Sequence, residues 1–371
     1  MSTIKVTNVN PPTAGNAVNI NGLAYPTAGP LSNRNLIING AMQVAQRGTT
    51  FTGGGGGGIT LDMWKFSEGT SAVFDVAQSS TAPAGFTTSF KVDCTTTGTP
   101  TGSQEAFVET KVEAQNLQHL QYGTSGAQTT TLSFWVRSNK TGNYGLWFYH
   151  YDLPGQYATT YTISSADTWE YKTITLPGNT TAAFANDNTT GLAIRFYLQI
   201  GPDLAGTPSE TWQTTLSNRS PDLNLGDSTS NEWLITGVQL EVGQVATPFE
   251  HRSFGDELAK CQRYYWNPLL EKGQTNVYLG NGAQYDGTTS FMVLHPPVTM
   301  RTEPSADFSN STGHFAKLAN NSATNFSTFA LDGSNSAACI TVSYNASGSS
   351  GHANFVRAQN TDSKFAFSAE L

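Results

Sequence analysis

Between Leu61 and Phe249 the chain alternates apolar and polar residues in short runs, each broken by Gly, Pro, Asn or Asp. The runs are "AVFDVAQ", "TSFKVDC", "EAFVETKVE", "TTLSFWVRS", "YGLWFYHYDL", "WEYKTITLP", "LAIRFYLQIG" and "EWLITGVQLEVG". A period of two places one set of side chains on a core and the other on the opposite face of a strand. Closely spaced strands of this kind with frequent turn residues predict an antiparallel β-sandwich of the jelly-roll type. Within it, "KVEAQNLQHLQ" has room for one helical turn.

A second alternating region follows Pro268, with "NVYLGNG", "TTSFMVLHPPVTM", "HFAKLAN", "STFALDG", "AACITVSYN", "ANFVRAQ" and "KFAFSAEL" as strands. Between the two regions lies "ATPFEHRSFGDELAKCQRYYW", where the pattern changes to a helical one. Ser253 followed by Asp256 resembles a capping box. Phe254, Leu258, Cys261 and Tyr265 fall on one stripe at 4-3-4 spacing. Asp256 and Lys260 stand at the favourable i,i+4 spacing. The helix either caps the sandwich or packs against copies of itself about a symmetry axis. The expected organisation is an extended arm over 1–33, a jelly-roll sandwich over 34–250, a helical joint over 251–267 and a smaller C-terminal β domain over 268–371. The arm holds Pro11, Pro12, Pro26 and Pro30, with strand-like alternation only in "IKVTNV" and "AVNINGLAY". The glycines from Gly53 to Gly58 lack the Lys-Ser/Thr of a phosphate loop and read as a surface loop.

Charge is scarce, at 12% of the 371 residues, yet Glu250, Arg252, Asp256, Glu257, Lys260 and Arg263 crowd into 14 positions. A solvated outer face of the helix accounts for that crowding. The first 50 residues contain no Asp or Glu, and the whole chain carries a net charge of −8. That balance, without a Lys/Arg stripe, argues against nucleic acid as a partner. No apolar run is long enough to span a membrane, and the N-terminus lacks the apolar region of a signal peptide. Cys94, Cys261 and Cys339 are odd in number and far apart, which suits reduced thiols from a cytoplasmic assembly rather than a disulfide scaffold.

None of the six histidines sits in a metal-binding or nucleophile motif. No catalytic carboxylate pair stands out, and no cofactor is expected. Asp62 and Glu241, near the two ends of the sandwich region, are weak candidates for a shared structural Ca²⁺. The aromatic pattern is more informative. If the aliphatic set of three strands faces the core, then Trp135, Arg137, Trp147, Tyr149, Tyr151, Arg195 and Tyr197 share the opposite face. Such a face suits flat sugar rings, a subunit interface or a covering of loops.

Several stretches carry a resemblance. "NLIINGAMQVAQRG", "LDMWKF", "LSFWVRS", "GVQLEVGQVATPFEHRSFGDELAKCQRYYW", "PPVTMRTEP" and the final "FAFSAEL" resemble tail-fibre and other virion structural proteins of tailed bacteriophages. In these a carbohydrate-binding-module-like jelly roll precedes an "EL..CQRYY" segment and a distal β domain. The resemblance implies a non-enzymatic virion component, usually a homotrimer, that contacts the host surface or its glycans. By its own composition the N-terminal arm is either a floppy terminus or an anchor to other virion proteins, and the thiols and missing signal peptide fit assembly in the host cytoplasm. A virion-associated polysaccharide-degrading enzyme and a purely structural capsid-surface fibre are the alternatives.

Overall fold

The computed structural model describes residues 18–20, 23–25, 32–53, 58–151, 155–215, 218–269, 275–333 and 335–371. Most of the expected arm and the middle of the glycine run (54–57) lie outside the described residues. The chain forms two compact units, one comprising Met1–Ala45 with Thr49–Arg252, the other Gln46–Gly48 with Ser253–Leu371. It is all-β, built from antiparallel sheets.

In the first unit, two short strands form within "AVNINGLAY" instead of one. β1 (Val18–Ile20) pairs with β2 (Leu23–Tyr25), with Ile20 opposite Leu23. The intervening Asn-Gly is the commonest signal for a tight hairpin. The sandwich follows: β3 (Thr50–Phe51), β4 (Trp64–Glu68), β5 (Val73–Ser79), β6 (Ser89–Thr96), β7 (Glu105–Glu113), β8 (Thr130–Ser138), β9 (Gly142–His150), β10 (Gly155–Ile163), β11 (Glu170–Leu176), β12 (Thr190–Ile200) and β13 (Glu232–Val242). One sheet has five strands in the order β10-β9-β12-β7-β4, and the other has six in the order β11-β8-β13-β6-β5-β3. The chain crosses from sheet to sheet at every step from β3 to β13 except β5–β6 and β9–β10. Ala114–Leu120 forms 3₁₀ turns where the helical turn was expected.

The alternating aliphatic and aromatic residues meet between the sheets. Phe134 of β8 meets Phe196 of β12 edge-on at 5.2 Å, and Phe196 also reaches Trp233 of β13 at 6.0 Å. Trp64 of β4 lies 6.4 Å from Phe90 of β6. All five are fully buried, and burial of rings this large is the main stabilising term of such a core.

β13 changes partner halfway along. Its first half pairs with β6, and its register shifts between Thr236 and Gln239. There Gly237 adopts φ 63°, and a Cβ would stand 2.6 Å from the ring of Phe86. Beyond this bulge the segment from Asn35 to Gly40 lies along β13, with Leu36 N–H donating to Leu240 O and Val238 N–H donating to Gly40 O. Glu250 holds that segment by accepting from the backbone N–H of Arg34 and of Asn35, and Arg252 donates to Ile37 O. Glu250 and Arg252 therefore pin a strand-like segment, and only the later members of the charge cluster belong to the helix.

In the second unit, α1 (Phe254–Gln262) begins as predicted: Ser253 Oγ accepts from Asp256 N–H. It leads into β14 (Tyr265–Trp266), β15 (Val277–Gln284), β16 (Ser290–Leu294), β17 (Ser305–Phe308), β18 (Phe315–Ala319), β19 (Ser322–Phe326), β20 (Phe329–Leu331), β21 (Ile340–Tyr344), β22 (Ala353–Ala358) and β23 (Phe365–Ser368). A three-stranded sheet has the order β14-β23-β17, and a seven-stranded sheet the order β19-β18-β22-β15-β16-β21-β20. Their core is a cluster of phenylalanines, with Phe329 in ring contact with Phe315, Phe326 and Phe365.

Candidate functional site

The seven residues expected on one aromatic face lie on two. β9 and β12 belong to the five-stranded sheet and β8 to the six-stranded sheet. Trp147, Tyr149, Tyr151, Arg195 and Tyr197 therefore look outward on one side of the sandwich, and Trp135 and Arg137 on the other. Within each strand inward and outward residues alternate, but β8 and β9 do not share a sheet.

On the six-stranded sheet, Trp135 pairs across the strands with the exposed Tyr171, their rings 5.3 Å apart. Arg137 is held in a charge network, donating to Glu232, to Asp167 Oδ1 at 2.8 Å and to Asp167 O at 3.1 Å. Lys91 binds the same Glu232 carboxylate at 2.9 Å. Burial would raise the Glu232 pKa, but the bonds from Lys91 and Arg137 outweigh it and hold the carboxyl below its usual range. Arg137 is a fastener of this sheet.

On the five-stranded sheet, alternate residues of β9, continued by Tyr151 just past its end, form an aromatic row. Trp147 stacks on Tyr149 at 5.1 Å, and Tyr149 meets Tyr151 edge-on at 4.6 Å. Cross-strand pairing brings Arg195 beside Trp147 and opposite Glu109, and sets Ala193 between Tyr149 and Lys111. Arg195 lies 4.6 Å from the Trp147 ring centroid and 4.2 Å from that of Phe107; Arg219 lies 5.0 Å from Trp147. Lys111 Nζ stands 5.4 Å from the Tyr151 ring. These are cation–π distances. The Arg195 Nε donates to Glu109 at 2.5 Å, and Glu105 accepts from both Arg195 and Arg219. Burial would lower the Arg195 pKa, but the charges of Glu109, Tyr197 and Glu105 together raise it.

Half of this row is not on the surface. Trp147 is 4% exposed and Tyr197 1%, packed with Phe107, Ala158 and Ile200 beneath Leu204 and Ala205. The covering segment after β12 is tied down by its own bonds, Arg219 N–H to Leu204 O and Gly206 N–H to Ser220 O. It is also bridged to β10, where Gln156 and Gln213 exchange backbone hydrogen bonds. Burial pushes the Tyr197 phenol well up. The accessible part is Tyr149 with Tyr151, which is 39% exposed, flanked by Lys111. Lys111 was legible in "EAFVETKVE" as an outward residue of β7; nothing in the sequence marked the covering segment or Arg219.

The helix stripe is broken. Phe254, at its start, is 57% exposed, Leu258 is half-buried and Cys261 is buried. The helix ends at Gln262, so Tyr265 lies in β14, buried, with its hydroxyl donating to Asp307 at 3.1 Å. Glu257, Cys261 and Gln262 are the helix residues that turn inward. Glu241, one of the calcium candidates, closes the turn after β13: its carboxylate accepts from Thr247 N–H, Thr247 Oγ1 and Gln239 Nε2. Asp62 is buried near the Asn39 side chain, which donates to its backbone carbonyl. Among the described residues no three His, Cys, Asp or Glu gather in a way that would hold a metal ion.

No protein-family profile matches this chain, and no curated protein matches it. Solved structures do resemble it in fold. One is the enzymatically active domain of tailspike protein 4 of bacteriophage CBA120, at 13% identity and a TM-score of 0.32 over 56% of this chain. The chain spans 21% of that tailspike chain. Another is a putative sugar binding protein from Bacteroides thetaiotaomicron, at 12% identity and a TM-score of 0.32, covering 56% of this chain and 100% of the other. A third is TmCBM61 in complex with β-1,4-galactotriose, at 12% identity and a TM-score of 0.28, covering 57% and 99%. The class defined by the fold is an antiparallel β-sandwich with a second, smaller β unit. Likeness at these TM-scores decides nothing about function.

Proposed function

We propose that this protein is a non-catalytic surface component of a bacteriophage virion that attaches to glycans of the host through the five-stranded sheet. The observation that carries the reading is the aromatic row on β9, which ends in the open edge formed by Tyr149 and Tyr151. Tyrosine offers a flat apolar face to the C–H face of a pyranose and a hydroxyl to its hydroxyls. Trp147 below it serves as the packed base that fixes the two tyrosines. The carboxylates nearest the row, Glu105 and Glu109, are engaged by Arg195 and Arg219, an arrangement suited to holding a surface rather than to proton transfer. The sequence resemblance to virion proteins supports the setting.

Tyr149→Ala and Tyr151→Ala should weaken adsorption to host cells or their isolated surface polysaccharide without changing thermal unfolding much. Unchanged adsorption by both would overturn the assignment of this sheet. The same reading holds that the protein assembles as a homotrimer and that residues 1–33 anchor it to the particle. Light scattering tests the first: a monomer at micromolar concentration counts against it. Deletion of residues 2–30 tests the second, since the truncated protein should fold yet be missing from assembled particles.

A further inference from the structure

On one face of its seven-stranded sheet the second unit exposes several large apolar side chains. Among the described residues seven large hydrophobics are exposed; Tyr285 follows directly on β15, and Tyr278, Val293 and Phe355 belong to the seven-stranded sheet of this unit. Register puts them on the side away from the phenylalanine core. Phe355 of β22 stands opposite Leu318 of β18 and Asn281 of β15, while its neighbours Asn354 and Val356 are buried. Phe355 is 52% exposed and Tyr278 58%, their rings edge-on at 6.1 Å.

Beside Phe355 the sheet is hollowed into a cleft of about 490 Å³. It is lined by Leu318, Ala323, Ala353 and the Phe355 ring, together with Asn281 and the turn Asn320–Asn321. That turn joins β18 to β19 with Ala319 opposite Ser322, and both asparagines have positive φ, 51° and 57°. Two left-handed central residues are the type I′ hairpin, which Asn tolerates better than other side chains. The turn is thus held by backbone geometry. Among the described residues neither Asn281 nor Asn321 has a side-chain partner, and no charged residue lines the cleft.

We propose that this cleft binds a neutral pyranosyl residue, stacked on Phe355 and hydrogen-bonded by the free amides of Asn281 and Asn321. The volume is that of a small-ligand site, apolar with a few placed polar groups. An amide both donates and accepts, as a sugar hydroxyl does. The lining carries no charge to favour sialic or uronic acids or phosphate; Arg357, two residues along β22 on the same face, stands opposite Tyr278 and is not part of that lining. A concave surface with isolated amides is also a poor match for a second copy of the chain, which needs a broad complementary face. The site is separate from the sandwich, and its failure leaves the reading of Tyr149 and Tyr151 standing.

The test is calorimetric titration of the full chain with cellotetraose, xylotetraose, mannotetraose, β-1,4-galactotetraose and chitotetraose, with polygalacturonate and polysialate as acidic probes. At least one neutral oligosaccharide should bind. Phe355→Ala should weaken that binding by about tenfold or more, the scale of one lost aromatic contact and its area, and Ala353→Arg, which fills the cleft, should abolish it. Tyr151→Ala in the same titration reports on the sandwich and should leave this component unchanged. The proposal is overturned if no neutral probe binds at millimolar concentration, if an acidic probe binds better, or if binding survives both second-unit variants. It is equally overturned if Phe355→Ala changes the oligomeric state while glycan binding stays the same, which would make the face an interface between copies.

Discussion

Trp147 separates two accounts of the five-stranded sheet. As a surface binding residue it would be dispensable for folding. In the structure it is part of a second core, 4% exposed and enclosed by Phe107, Ala158, Tyr197, Ile200, Leu204 and Ala205. Its indole N–H has no partner among the described residues, so its contribution is packing, together with two guanidinium contacts. Removing a buried Trp side chain costs about 3–5 kcal/mol. For a sandwich of this size each kcal/mol lowers the melting temperature by about 2–4 °C, so Trp147→Ala should melt about 6–20 °C below the parent. Tyr151, with 39% of its surface exposed, loses mainly its contact with Tyr149, worth about 0.5–1.5 kcal/mol. Its alanine variant should fall by only a few degrees. Scanning calorimetry, with near-ultraviolet circular dichroism to follow the aromatic environment, distinguishes the two. A Trp147→Ala protein that melts with the parent, or falls no further than Tyr151→Ala, would show that the segment after β12 does not cover this sheet.

Burial would raise the Glu250 pKa, but the N–H groups of Asn35 and Arg34 and the charges of Arg252 and Arg34 hold it below the usual carboxylate range. A depressed folded value means that its stabilisation is present above the unfolded pKa of about 4.3 and is lost as pH falls through the lower folded value. Glu250→Gln should remove that part of the acid sensitivity in urea titrations between pH 6 and the acid limb, and an unchanged pH profile would refute it. Gly40→Ala would place a Cβ 2.1 Å from Val238 O, so it should destabilise the sandwich by about 1–3 kcal/mol in urea unfolding, and a neutral result would mean that 35–40 does not run beside β13. Cys94 and Cys261 are buried and Cys339 is partly accessible. A thiol reagent should therefore label one site quickly in the native protein and three after denaturation; rapid labelling of Cys94 would contradict its place in the core.

The strand content, the helix start at Ser253 and the inward set Leu132, Phe134 and Val136 could be read from the sequence because each rests on neighbours a few residues away. Six strands did not read as strands: the two-residue β3 and β14, the short β17 and β19, and β4 and β10. β4 is a short run straight after a turn, and β10 carries Thr and Ala among its tyrosines, so its alternation is faint. Sheet membership did not read at all. Periodicity tells which side of its own strand Trp135 occupies, but the crossing from β8 to β9 is set by contacts far apart in sequence. The same limit applies to Tyr265. Its i,i+4 spacing from Cys261 holds only while the helix continues, and the chain leaves the helix at Arg263 to enter β14. The covering of Trp147 and Tyr197 depends on a polar, Gly- and Pro-containing segment whose composition looks like any loop.

Edge strand β11 carries Glu170 and Lys172 on its inward side, opposite Val136 and Phe134, with their charged ends joined at 2.5 Å. At the far edge of the same sheet β3 is only two residues long. A foreign strand adding beside β11 would have to seal that ion pair away from water, and one adding beside β3 would find almost no ladder to extend. The proposed setting, many copies on one particle, would bring such neighbours together at high local concentration. The six-stranded sheet is built so that such encounters do not propagate into a fibril.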